Sequence, residues 1–285
     1  MAEPSFLRLR DGRRLAYQDA PVAAGVPVLF LHGLPSCRLM RPDDAESAAM
    51  GARVITFDRP GLGQSDPKPG RSLLDIAEDV TGLLDHLKLG KVFVVAPSGG
   101  GPSALALAFR APERVRAVAL IGSVAPLDGP GALAGITLER RGGFWLARHA
   151  PRVFRWMMSR RVGSDVKAFF AHYTKHNPPV DQAILARPAV REMFLASYSE
   201  SLRGGIEAFA WEVQLAARPW GFSLSDIRVP VSVWHGGLDN SVPPVMGKRI
   251  AAAISRAQWH FLPEESHLFF LSRWPEILGN LLARG

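Results

Sequence analysis

The chain of 285 residues reads as an α/β protein, a mostly parallel sheet covered by helices on both faces and interrupted by a long helical insertion. Three observations lead to that fold class. Short β-branched apolar runs alternate with helical stretches, as expected of strands buried on both sides. Several of these runs end in small or polar turn residues, at the carboxyl edge where open parallel sheets place their ligands. The alternation then stops between Ser123 and Leu224, where the spacing becomes helical throughout. A hydrophobic content of 47% over this length is enough to bury one large core beside an insertion.

Taken in order, Phe6–Arg10, the dipeptide Asp11-Gly12 and Arg13–Tyr17 predict a β-hairpin. Strands follow at Val28–His32, Val54–Asp58, Lys91–Ala96, Val115–Ser123, Val231–His235 and Gln258–Leu262. The expected organisation is a core in two parts, 1–123 and 224–285, with a helical cap inserted at 124–223. The cap carries many aromatic and methionine side chains, among them Phe144, Trp145, Trp156, Met157, Met158, Phe169, Phe170, Tyr173, Phe194, Tyr198, Phe209 and Trp211. Most are ordinary packing residues; the remainder would roof an apolar site.

The net charge of +8 is concentrated, with seven arginines and no acid from Arg140 to Arg161. On a helix, Val153, Phe154, Met157, Met158 and Val162 would share the buried face, and Arg152, Arg155, Trp156, Ser159 and Arg160 the outer one. No recognition module accompanies the charge, so nucleic acid is not an expected partner. The single cysteine, Cys37, leaves no disulfide framework and fits a reducing compartment. The first residues lack the apolar core of a signal peptide, and no apolar run approaches the roughly 18 residues of a membrane span. A cytoplasmic protein without stable membrane insertion is expected, acting on a small-molecule substrate; oligomeric state is not legible.

Ala96-Pro97-Ser98-Gly99-Gly100 is the most informative stretch, because it follows a buried strand directly and runs into an Ala-rich helix. Small residues on either side allow a sharp strand-to-helix turn that lifts the serine hydroxyl above the sheet. The helix behind it aims free N–H groups at the same point. Three further segments supply the partners of such a serine. Val28–Leu31 ends in His32-Gly33, and the glycine lets the N–H of Leu34 face the nucleophile. Val231–Gly237 is followed by Leu238-Asp239, and Trp259–Leu262 by a loop carrying His267. The chain order Ser98, Asp239, His267 combines a nucleophile, an acid and a base.

On these residues the chain resembles the α/β-hydrolase superfamily over nearly its whole length, the middle third less so. The motifs are His32-Gly33-Leu34-Pro35-Ser36, Asp58-Arg59-Pro60-Gly61-Leu62-Gly63-Gln64-Ser65, Ala96–Gly101, His235–Asp239 and Ser266-His267. The resemblance implies an eight-stranded sheet and a serine hydrolase with a helical cap. No cofactor is expected, and no metal, because no histidine pair has metal-ligand spacing with carboxylate support. The resemblance further implies catalytic Ser98, Asp239 and His267 and an oxyanion hole from the N–H groups of Leu34 and Gly99; substrate contacts are expected from His32, Gly33, Pro97, Trp145 and Trp211. Some members place the acid earlier, which makes Asp128 the alternative to Asp239. The chain departs from the usual pattern at Ala96 and Pro97. Proline fixes its own φ and keeps Ala96 extended, which suits a strand end.

An ester hydrolase acting on an apolar or aromatic carboxylic ester, thioester or lactone is the expected activity. Carbon–carbon bond hydrolysis, aminopeptidase, perhydrolase or lyase chemistry on the same triad, and a non-catalytic ligand sensor, remain open. An aminopeptidase would need a cap acid to hold the substrate's amino group, and Glu139, Asp165, Glu192, Glu200, Glu207 and Glu212 are the candidates.

Overall fold

Alternating apolar side chains along the central strands build two cores, one on each face of a single sheet. The computed structural model describes residues 3–19, 24–129, 131–162 and 165–284. Eight strands are present among them: β1 (Ser5–Arg8), β2 (Arg14–Asp19), β3 (Val26–Phe30), β4 (Ala52–Phe57), β5 (Val92–Pro97), β6 (Val115–Ile121), β7 (Val231–Gly236) and β8 (Ala257–Leu262). Their order across the sheet is β1-β2-β4-β3-β5-β6-β7-β8, with β2 antiparallel to both neighbours and every later pairing parallel. This is the α/β-hydrolase architecture the sequence predicts.

Leu29, Leu31, Val94, Ala96, Val118 and Leu120 pack on one face, against α2 (Ile76–His86), α3 (Gly101–Arg110) and α10 (Pro244–Ala253). Val28, Phe30, Phe93, Val95, Ala119 and Ile121 pack on the other, where α1 (Asp44–Ala49) and α11 (Trp274–Leu282) lie. The period of two along each strand explains why these segments read as unbroken apolar runs.

The hairpin differs from the two-residue turn suggested by Asp11-Gly12. The strands close at Arg8 opposite Arg14, and Leu9–Arg13 forms a longer loop in which the Gly12 N–H donates to the Leu9 carbonyl at 3.0 Å. Gly12 has φ +88°, so its freedom serves the end of that loop.

Between β6 and β7 run α4 (Leu138–His149), α5 (Pro151–Val162), α6 (Val166–Thr174), α7 (Pro179–Leu185), α8 (Pro188–Ser201) and α9 (Glu207–Ala217). Ala147, Phe154, Ala210 and Ala217 extend the first core, whereas Phe169, Phe170, Ile184, Leu185, Phe194 and Tyr198 extend the second. Val153, expected on the buried face of α5, is half exposed, while Phe154 and Val162 are buried. Trp156 lies outward with the guanidinium of Arg160 5.3 Å from its ring centroid. Two ionic clusters bind the insertion to the loops that follow β3 and β4. Glu212 of α9 pairs with Arg59 at 3.0 Å and with Arg71, all three buried. Glu200 of α8 accepts from Arg38 at 2.9 Å and from Gln64 at 2.6 Å. No helix among the described residues is long and apolar enough to cross a membrane.

Candidate active site

Three strand ends and one helix start converge above the carboxyl edge. Pro97 closes β5 in an extended conformation, and Ser98 follows at φ +53°, a left-handed position rare for a residue with a side chain. Such strain persists only where the surroundings over-determine it. Here they do: a Cβ on Gly100 would stand 2.0 Å from the Leu31 carbonyl, and one on Gly101 would collide with Ser123 Oγ. Nothing larger than glycine permits the turn to pass so close to β3 and β6. Gly33 lies against the serine on the other side, its hypothetical Cβ 3.2 Å from Ser98 Cβ, and the Leu34 side chain packs over Gly99. Residues 33–34 and 98–99 thus face one another across the serine.

His267 follows β8 and turns its Nδ1 to Asp239 Oδ2 at 2.7 Å. A carboxylate only accepts, so Nδ1 carries the hydrogen and Nε2 is left as the basic nitrogen. The other oxygen of Asp239 accepts the N–H groups of Ser241 and Val242, each at 2.8 Å. His235 lies behind, its Nε2–H donating to the Val242 carbonyl at 2.8 Å and standing 3.4 Å from Asp239 Oδ2. Burial would raise the Asp239 pKa, but the charge and hydrogen bonds of His267 and His235 hold it well below the usual carboxylate range. Burial likewise pulls His267 down, and the Asp239 charge and hydrogen bond more than offset this, leaving it above the ordinary imidazole value.

Ser98 and His267 both line a narrow cavity of about 50 Å³, with Gly33, Leu34, Pro97, Tyr173 and Tyr198. Ser98 also borders a larger space of about 410 Å³ with Leu34 and Gly99 at its floor. Its walls are apolar, from Phe144, Leu146, Phe154, Met157, Met158 and Phe209, with Glu139, Arg140 and Arg161 as the charged members. Tyr173 lines both spaces.

The expected substrate contacts divide. Gly33 and Pro97 reach the narrow cavity; His32, Trp145 and Trp211 line neither space. His32 is fully buried, with Nδ1 on the Gly33 carbonyl at 2.9 Å. Burial and the Arg59 charge push its pKa well below 6.5, so it is a neutral packing residue. Trp145 points outward, 59% exposed, because it falls on the solvent side of α4. Trp211 donates its indole N–H to the Arg71 carbonyl at 3.2 Å, away from the serine. Asp128 is exposed, whereas Asp239 holds the histidine.

Two neighbours of the histidine had no sequence signal strong enough to single them out. Gly122, at the end of β6 with φ +50°, is so close that a Cβ there would stand 3.0 Å from Asp239 Oδ2 and 3.1 Å from His267 Nδ1. A glycine directly after an apolar strand is a weak hint of such an approach. Asp181 of α7 binds the histidine loop, and nothing in its local sequence distinguishes it. Among the described residues no three His, Cys, Asp or Glu side chains converge as metal ligands would.

Comparison with known proteins agrees with this architecture. A profile of the alpha/beta hydrolase fold family matches residues 26–273. The chain therefore belongs to the α/β-hydrolase fold family and is a hydrolase of that kind. It is 36% identical to a non-heme chloroperoxidase of Streptomyces lividans, over 96% of each chain. It is 30% identical to a 2-hydroxymuconate semialdehyde hydrolase of Pseudomonas putida, over 91% of this chain and 88% of the other. A thermophilic esterase from Thermogutta terrifontis superposes with a TM-score of 0.63 at 25% identity, over 99% and 98% of the two chains.

Proposed function

We propose that the protein is a serine hydrolase that cleaves a small carboxylic ester bearing an apolar or aromatic group, through an acyl-enzyme formed on Ser98. The observation that carries this reading is the strained serine sharing one cavity with a histidine whose other nitrogen is held by a buried carboxylate. In this reading His267 Nε2 takes the proton of Ser98 Oγ as the oxygen attacks the ester carbonyl carbon. Asp239 keeps the tautomer and stabilises the imidazolium. The N–H groups of Leu34 and Gly99 receive the oxyanion, a contribution of roughly 10²–10³ in rate per donor. The imidazolium then protonates the departing alkoxide, and His267 activates water to release the acid.

The helical insertion 124–223 acts as the cap. Its large apolar space takes the bulky group of the ester, and the narrow cavity beside His267 takes the small one. Aminopeptidase chemistry has less support. Among the cap acids Glu139 lines the large space but pairs with Arg161. Glu207 pairs with Arg155, Glu200 with Arg38 and Glu212 with Arg71, Asp165 caps α6, and Glu192 is exposed and lines neither space. Carbon–carbon bond hydrolysis on the same triad is the second reading, favoured by the full-length match to the semialdehyde hydrolase.

The test is hydrolysis of p-nitrophenyl esters of graded chain length by wild type and Ser98→Ala, with a fluorophosphonate label in parallel. Turnover and labelling lost together in the variant are expected. Labelling without ester turnover would move the assignment to the carbon–carbon reading. A folded wild type showing neither would overturn the serine mechanism.

A further inference from the structure

The histidine loop is not held by the sheet alone. Asp181, fully buried on α7, places all three of its hydrogen bonds on residues 266–268. Its Oδ2 accepts the Ser266 hydroxyl at 2.9 Å and the His267 N–H at 3.2 Å, and its Oδ1 accepts the Leu268 N–H at 2.9 Å. The next turn, Phe269–Leu271, starts immediately afterwards, so these N–H groups precede any helical partner. A carboxylate from a distant helix does what a local capping residue would do. The acid loop is gripped from the same insertion. Asn240 donates its side-chain amide to the His176 carbonyl at 2.7 Å, and Arg140 of α4 donates to the carbonyls of Asn240 and Ser241.

We propose that Asp181 is a positioning residue for His267: it fixes the base against Asp239 and Ser98 and adds a second negative charge beside the imidazole, so that proton transfer requires the helical insertion to be seated. The inference rests on the serine mechanism above. Burying an ionised carboxylate costs more than burying a neutral acceptor unless its charge is used. The cation available to Asp181 is the imidazolium that forms during acylation. Charged and titratable groups facing His267 are Asp239, with His235 behind it, from the β7 end, Asp181 from α7 and Arg140 from α4; Tyr173 of α6 shares its cavity. The two aspartates favour the protonated ring, and Arg140 opposes it.

The test is the second-order rate of fluorophosphonate labelling against pH, in wild type, Asp181→Asn and Asp181→Glu, with melting curves to establish folding. Labelling needs neutral His267, so its rate rises with pH to a plateau with a midpoint at the His267 pKa. Asp181→Asn should lower the plateau about tenfold, as expected for losing hydrogen bonds to a charged group. Its midpoint should move to lower pH by roughly half a unit, because a charge that favoured the imidazolium is gone. Asp181→Glu keeps the charge but displaces the carboxylate, so its plateau should fall while its midpoint stays near wild type. A folded Asp181→Asn with wild-type plateau and midpoint would overturn the proposal. If that variant does not fold, a wild-type plateau in Asp181→Glu overturns it instead. A wild type that takes no label refutes the serine mechanism and is thereby told apart from a failure of Asp181.

Discussion

Ser98 occupies its left-handed backbone position because glycines on both sides let β3, β6 and α3 approach within contact distance. That arrangement owes nothing to the hydroxyl, so Ser98→Ala should fold with an unchanged melting temperature. Its ester turnover should fall by roughly 10⁴-fold or more, measured against wild type under single-turnover conditions. Asp239→Asn should be nearly as damaging, about 10⁴-fold in kcat, since an amide can hold the imidazole in the wrong tautomer. The raised pKa of His267 sets the acid limb of the kcat/KM profile. That limb should lie above the ordinary imidazole value of about 6.5, because activity requires the neutral ring. A limb at or below that value would show that Asp239 does not carry the charge assigned to it.

The strand-to-helix elbow, β5 into α3, depends on backbone proximity rather than on flexibility. Gly100→Ala should cost at least about 3 kcal/mol in denaturant unfolding, because its Cβ would meet the rigid Leu31 carbonyl. Helix α5 contributes Phe154, Met157 and Met158 to the large apolar space and turns Trp156 and Arg160 to solvent. Filling that space by Met157→Trp should raise KM for long-chain esters roughly tenfold and leave acetate esters within about twofold. Equal losses for all chain lengths would place the bulky group elsewhere. The strands are legible to within a few residues: two-sided burial writes β3–β7 as nearly continuous apolar runs, whereas exposed β1 and half-buried β8 are marked by the turn residues beside them. The hairpin turn was misread, since Asp11-Gly12 also suits the longer loop that the pairing of Arg8 with Arg14 imposes.

Across the molecule, the insertion is fastened by buried charge to the loop between β4 and α2. Glu212 meets Arg59 and Arg71 without solvent. Glu212→Gln should therefore cost roughly 3–5 kcal/mol, as expected when one partner of a buried ion pair is removed. The Glu212 pKa is held down by the charges of Arg59 and Arg71 against the opposing effect of burial. A depressed folded pKa means stability that is present above the unfolded value of 4.5 and lost as pH falls through the folded one. The stability gap between wild type and Glu212→Gln should thus be full at neutral pH and shrink in acid, measured by urea unfolding across pH. A gap independent of pH would mean that packing, not charge, fastens the helices.

Ser98, Asp239 and His267, which the fold brings to one site, could be picked out from residues alone, because each follows a strand end and is constrained by its immediate neighbours. The same local reasoning established the fold class. It could not place Trp145 and Trp211, whose directions depend on how helices of ambiguous pattern pack, nor show that the His32 ring turns onto the Gly33 carbonyl beside it. Nor could it find Asp181 or separate Glu200 and Glu212 from the other acids of the insertion. A carboxylate gains its role from partners far away in sequence, here Ser266–Leu268, Arg38, Arg59 and Arg71. Local pattern records which residues are buried and how the chain turns; which charges meet is set only when distant segments close on one another.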